Sequence, residues 1–239
     1  MGMIRRVRAA ILAAIVLSSA TVEVAAAERY YVLIFGSQSQ PKRLRHTHTW
    51  ATFVRAVGEG PDLSGHALEV HTISWLPQTL DVRVWSPLPE PGVNLDLHRT
   101  LDAVAAHGER VTLWGPFVIT PDIYERSLQV YHILQSGVVQ YRAISTASNL
   151  LISDCIHAVA AVDPVFGRGH YPLIRIGDPA SRFLAREIVV RSVENRGIDQ
   201  AAYDNSWLIP RLGLDRYAIG VVSPRQIPHR RCLLCRCPE

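Results

Sequence analysis

Three short patches hold the side chains best suited to covalent chemistry. "SDCIHAVAAVD" (153–163) places Cys155 where a helix starts, with His157 two residues on. "HTHTWATFVRAVG" (46–58) and "ALEVHTISWLP" (67–77) place His48 and His71 on alternating, strand-like segments. A nucleophilic thiol needs a lowered pKa, access and a neighbouring base. A helix start favours the thiolate through its unpaired N–H groups and dipole. Asp154 acts in the opposite sense, because a negative neighbour raises a thiol pKa. His157 follows Cys155 by two positions on a helix and faces away from it, as a packing or cap-supporting residue.

Each of these residues also has a plain structural reading. Free cysteine is among the most buried residue types and often only fills space. A strand histidine often only hydrogen-bonds a carbonyl. His98, His107 and His229 read as incidental surface residues among the ten histidines. A metal site is the rival chemistry. On a strand, "H-T-H" sets His46 and His48 on one face, about 7 Å apart, with His71 or His170 as a third ligand. "CLLCRC" holds Cys232, Cys235 and Cys237 near the end of the chain. It has no second ligand pair and reads as a tail.

The elements that must position these residues follow from pattern and punctuation. Strands are expected over 29–38, 46–58 and 67–77, with "DVRVW" (81–85) as a possible fourth. "PLPEPGVN" reads as a loop. Asn94 or Asp96 caps a helix that runs to His107 and stops at Gly108. A strand over 109–119 leads to Thr120 and Pro121, a cap and first-turn pair that opens a helix to Gln135. A strand over 138–145 comes next, and Ser153 or Asp154 caps the helix of Cys155. A helix over 180–195 and a late strand in "RYAIGVVSP" complete the series. Trp50, Trp75, Trp85 and Trp114 belong to a core or line a groove. Strands cluster early and no regular βαβ alternation appears. The expectation is α+β, a mainly antiparallel sheet packed against helices in a single domain.

Composition bounds the role. Residues 1–27 have an arginine-bearing start, a short apolar run and "AAA" before Glu28, as an export signal does. The expected division is a leader over 1–27, a domain over 28–222 and an irregular tail over 223–239. Export places the chain in the periplasm, at the cell surface or outside. Losing the leader's three arginines and one glutamate takes the net charge from +4 to +2. No basic run is interleaved with aromatics, so nucleic acid is not an expected partner.

The order of the three patches resembles that of the circularly permuted papain-like thiol enzymes, which include the lecithin–retinol acyltransferase-like proteins. "HTWATFV" is similar to their first element, "VHTISW" to their second and "DCIHAVAAV" to their third. The resemblance implies His48 as base (His46 is the alternative), His71 as the orienting residue and Cys155 as nucleophile. His157 matches the motif's histidine, and Asp154 stands in place of an asparagine. It implies a cysteine-dependent amidase, peptidase or acyltransferase working through an acyl-enzyme on peptide, cell-wall or lipid acyl groups, with no cofactor. A non-catalytic exported protein of the same fold is the alternative. The oligomeric state is left open.

Overall fold

The computed structural model describes residues 27–59, 63–145, 151–163 and 175–226. The expected leader and tail, His170, His229 and the three C-terminal cysteines lie outside them, apart from Ala27 and residues 223–226. The apolar run after the leader forms β1 (Ala27–Gln38). The 3₁₀ turn Leu44–His46 then leads into β2 (Thr47–Gly58). β3 (Ala67–Ile73), β4 (Trp75–Pro77) and β5 (Glu90–Asn94) follow. Next come α1 (Leu97–Ala106), β6 (Arg110–Ile119) and α2 (Pro121–Gln135). The short β7 (Gln140–Tyr141) and β8 (Ile152–Ser153) precede α3 (Cys155–Ala160). α4 (Asp178–Ala185), which continues into a π-turn at Arg186–Val190, α5 (Leu208–Arg211) and β9 (Ile219–Val222) end the series.

The architecture is α+β in one domain, with two mixed sheets where one mainly antiparallel sheet was expected. The larger sheet has the order β3-β2-β1-β6-β9, the smaller β4-β5-β7-β8. Within them β6–β9 and β7–β8 are parallel and the other pairs antiparallel. β1 is apolar on both sides because both faces of the large sheet are covered. Tyr31, Leu33 and Phe35 join Trp50, Leu101, Val104 and Leu208 on the face covered by α1 and α5. Val32 and Ile34 join Phe53, Ile123, Val159 and Leu184 on the face covered by α2, α3 and α4. Trp50, Trp75 and Trp114 are buried, whereas Trp85 is exposed on a loop.

The segment expected as one strand over 67–77 breaks at Ser74. There the Asn94 side chain replaces the ladder. It accepts from the Ser74 N–H at 2.7 Å and donates to the Thr72 carbonyl at 2.7 Å. The chain can therefore leave one sheet for the other with its buried backbone groups satisfied. The proline-rich segment ends in strand β5, while residues 81–85 form no strand. The strand expected over 138–145 is reduced to two residues.

Helix boundaries follow their caps. Asp96 accepts from Arg99 N–H at 2.8 Å, and α1 ends against Gly108 at φ +63°. Thr120 and Pro121 open α2 as expected, but the Thr120 hydroxyl makes no cap bond. α4 lies on β1 at Gly36, where a Cβ would stand 2.2 Å from Ser181 Oγ. The Ser181 hydroxyl also accepts from Trp114 Nε1 at 2.9 Å.

Candidate functional site

Asp154 organises the start of α3. Its Oδ1 accepts from Ile156 N–H at 2.9 Å and His157 N–H at 2.8 Å. Its Oδ2 receives Ser145 Oγ–H at 2.7 Å, Ser145 N–H at 3.2 Å and His157 Nδ1 at 2.7 Å. His157 is thus tied to the cap, as its position two residues past Cys155 implies. Ser145 and Asp154 meet the same ring nitrogen, which is unlike a relay with one partner on each side.

Cys155 is a free, half-buried cysteine whose sulfur lies against β2. Burial and then Asp154 push its thiol up to about 12. The backbone N–H groups of Thr49, Cys155 and Ile156 act in the opposite sense and do not prevail. At pH 7 such a thiol is protonated. The helix start does favour the thiolate, as expected, but removal from water dominates.

The two strand histidines do not reach this sulfur. Thr49, which meets the sulfur through its backbone, is next to His48, and neighbours on a strand face opposite ways. His48 points to the α1 side. Its Nε2 lies 2.9 Å from Ser74 Oγ, which also receives Thr100 Oγ1–H at 2.8 Å. Its ring stacks on Trp50, and burial pushes it down to about 3. His71 does share the Cys155 face, but it sits opposite Phe53. Phe53 is four residues along β2 from Thr49, a separation of about 13 Å. His71 Nε2–H meets Ser127 Oγ at 2.8 Å, since that hydroxyl is itself committed to the Tyr124 carbonyl. Its ring stacks on Phe53, and burial followed by His132 pushes it down to about 4. The arrangement of Cys155 with His48 and His71 is therefore not assembled. Both histidines are neutral, hydrogen-bonded core residues at pH 7.

A cavity of about 180 Å³ opens over Cys155. Leu44, Val84, Tyr141, Ala143, Ile156 and Ile176 supply its apolar wall, and Thr47, Asp154, Cys155 and His157 its polar side. Burial, then Cys155 and Asp154, hold the Tyr141 phenol above its ordinary range. Among the described residues, His157 is the one histidine lining this cavity. A larger cavity, about 730 Å³, lies beside His71, Asn94, His98 and Arg211.

The expected His46 and His48 metal pair is also corrected. His46 ends a 3₁₀ turn rather than sitting on β2, so the two do not share a strand face. His46 instead meets His107 and Glu109, with donor atoms that all lie within 4.8 Å of one another. By sequence His107 is an incidental surface residue and Glu109 is not a candidate ligand. The usable signal was "HGE" at a helix end, where a left-handed glycine turns the chain between two ligand-type residues.

No helix among the described residues is long and apolar enough to cross a membrane. Comparison of the chain with protein-family models, curated proteins and solved structures finds no match.

Proposed function

We propose that this chain is an exported, non-catalytic binding domain of permuted papain-like type. It holds a small apolar group, an acyl end or an apolar peptide side chain, in the cavity over Cys155. The observation that carries this reading is a half-buried, protonated thiol that neither His48 nor His71 reaches, beneath a largely apolar cavity of about 180 Å³. A cavity near 150 Å³ is enough to take up benzene, so one ring or a short acyl end matches the volume. The polar groups on one side would orient the head of such a ligand.

A second reading, a cysteine-dependent amidase, peptidase or acyltransferase, draws on one observation. Three backbone N–H groups favour negative charge on the Cys155 sulfur. It requires a base to be brought to that sulfur.

One experiment separates the two. Octanoylglycine is titrated calorimetrically, and nitrophenyl acyl esters are followed for turnover. The expected result is saturable binding that Ala143→Leu abolishes while the circular dichroism is kept, with no turnover above the buffer rate. Ester turnover that disappears in Cys155→Ala would establish the thiol enzyme instead. Absence of both binding and turnover rejects both readings.

A further inference from the structure

Glu109 is a carboxylate out of place. Its side chain is 4 % exposed, yet among the described residues no arginine or lysine pairs with it. A buried carboxylate needs a proton or a cation. Ser37 Oγ–H binds its Oε2 at 2.6 Å. Its Oε1 faces His46 Nδ1 at 3.8 Å, which is too long for a hydrogen bond. The His107 ring lies 5.4 Å from that of His46, centroid to centroid. Two imidazoles and a carboxylate thus converge on one point with no bond joining them.

Local structure brings them there. His107 caps the end of α1, and Gly108 at φ +63° reverses the chain. Glu109 then donates its N–H to the Val104 carbonyl at 3.1 Å. His46 is held by its own 3₁₀ turn, with Ser39 N–H on its carbonyl at 3.0 Å.

An independent observation lies behind the cluster. His48 is 3 % exposed, and its Nδ1 has no hydrogen-bond partner among the described residues. His48 lines a cavity of about 30 Å³ together with Thr47, Val104, His107 and Glu109. That is room for a single water.

We propose that His46, His107 and Glu109 form a binding site for a zinc-class divalent cation. The fourth position is open to a water in the small cavity beside His48. Two histidines and a glutamate with one open position form a donor set that suits zinc and its chemical relatives. The donor atoms, which lie within 4.8 Å of one another, must close to about 3.3 Å around a tetrahedral ion. His107 is exposed and can swing to do so. Ser37 holds the carboxylate from behind through Oε2 and so fixes its orientation. Arg45 opposes the metal. Its Nε donates to His46 Nε2 at 3.0 Å, which puts the proton of the neutral ring on Nδ1, the atom facing Glu109. A metal on Nδ1 moves that proton to Nε2 and displaces Arg45.

The test uses the full chain with Cys232, Cys235 and Cys237 changed to serine, so that tail thiolates cannot bind the probe. After chelator treatment it is titrated with Co²⁺ and followed by visible absorption. The expected result is one equivalent of Co²⁺ in a four-coordinate spectrum. Glu109→Gln, which keeps an oxygen for Ser37, and His107→Ala each weaken it by at least the about 10–100-fold that loss of a group merely supporting a ligand costs. Arg45→Ala tightens it. Absence of the spectrum overturns the proposal. So does binding that survives both His107→Ala and Glu109→Gln, or an Arg45→Ala variant that binds Co²⁺ less well.

Discussion

At the scale of single residues, burial decides the chemistry of the side chains that looked reactive. Cys155, His48 and His71 each lose their charged form because removal from water outweighs every nearby polar group. For Cys155 the consequence is slow alkylation. With the tail cysteines changed to serine, iodoacetamide should label it at least about 100-fold more slowly than a free thiol of pKa ~8.5. Its rate should keep rising with pH beyond 10. Mass-spectrometric labelling that levels off near pH 8 would show a reactive thiol. For the histidines the consequence is acid sensitivity. Their folded pKa values, about 3 and about 4, lie below the ordinary value of 6.5. Their contribution is therefore full above about pH 6.5 and is lost as the pH falls toward the folded values. Between pH 8 and pH 5 the unfolded chain takes up a proton at each ring that the folded chain refuses, which costs roughly 2 kcal/mol per histidine. Urea unfolding at the two pH values should show this loss, and an unchanged midpoint would refute it.

At the scale of elements, short helices depend on a few polar anchors and close approaches. α3 has six residues, too few to persist without tertiary support. Asp154 holds its second and third N–H groups and also ties down Ser145 and His157. Asp154→Ala should cost about 2–3 kcal/mol in urea unfolding, the cap and the stranded buried partners together. Asp154→Asn, which keeps an acceptor for the cap, should cost less. α4 depends instead on the absence of a side chain at Gly36. A Cβ there meets Ser181 Oγ at 2.2 Å and Ser181 Cβ at 3.0 Å, so the helix must lift from β1. Gly36→Ala should destabilise by about 1–3 kcal/mol, the usual cost of overpacking. It should also loosen the bond from Trp114 to Ser181, seen as a shift in tryptophan fluorescence.

At the scale of the whole molecule, one sheet carries two cores. β1 and β2 send alternate residues to opposite faces, so neither core can be lost while the sheet stays intact. Leu101, 1 % exposed on the α1 side, tests this coupling. Leu101→Ala should cost about 2–5 kcal/mol. It should lower the melting temperature equally by far-UV circular dichroism and by probes of the α3 and α4 side. Two separated transitions would mean that the cores unfold independently. The Cys155 cavity and the small cavity beside His107 and Glu109 adjoin at the start of β2, since Thr47 and Val82 line both.

Local signals made much of the element order readable. The apolar runs of β1, β2 and β6, the caps Asp96 and Asp154, and the Thr120–Pro121 and Gly108 boundaries all act within a few residues of the backbone they control. Other features needed long-range contacts. The break at Ser74 depends on Asn94, twenty positions away, and the parallel pairings of β9 and β8 leave no local trace. The site was less legible than the elements. Sequence established which residue types were present and that Cys155 starts a helix. It could not show that His48 faces away from that helix, because a strand buried on both sides has no polar face to mark which way each residue points. Only the tertiary structure set His46 beside His107 and Glu109, through the reversal at Gly108 and the packing of α1 against the sheet.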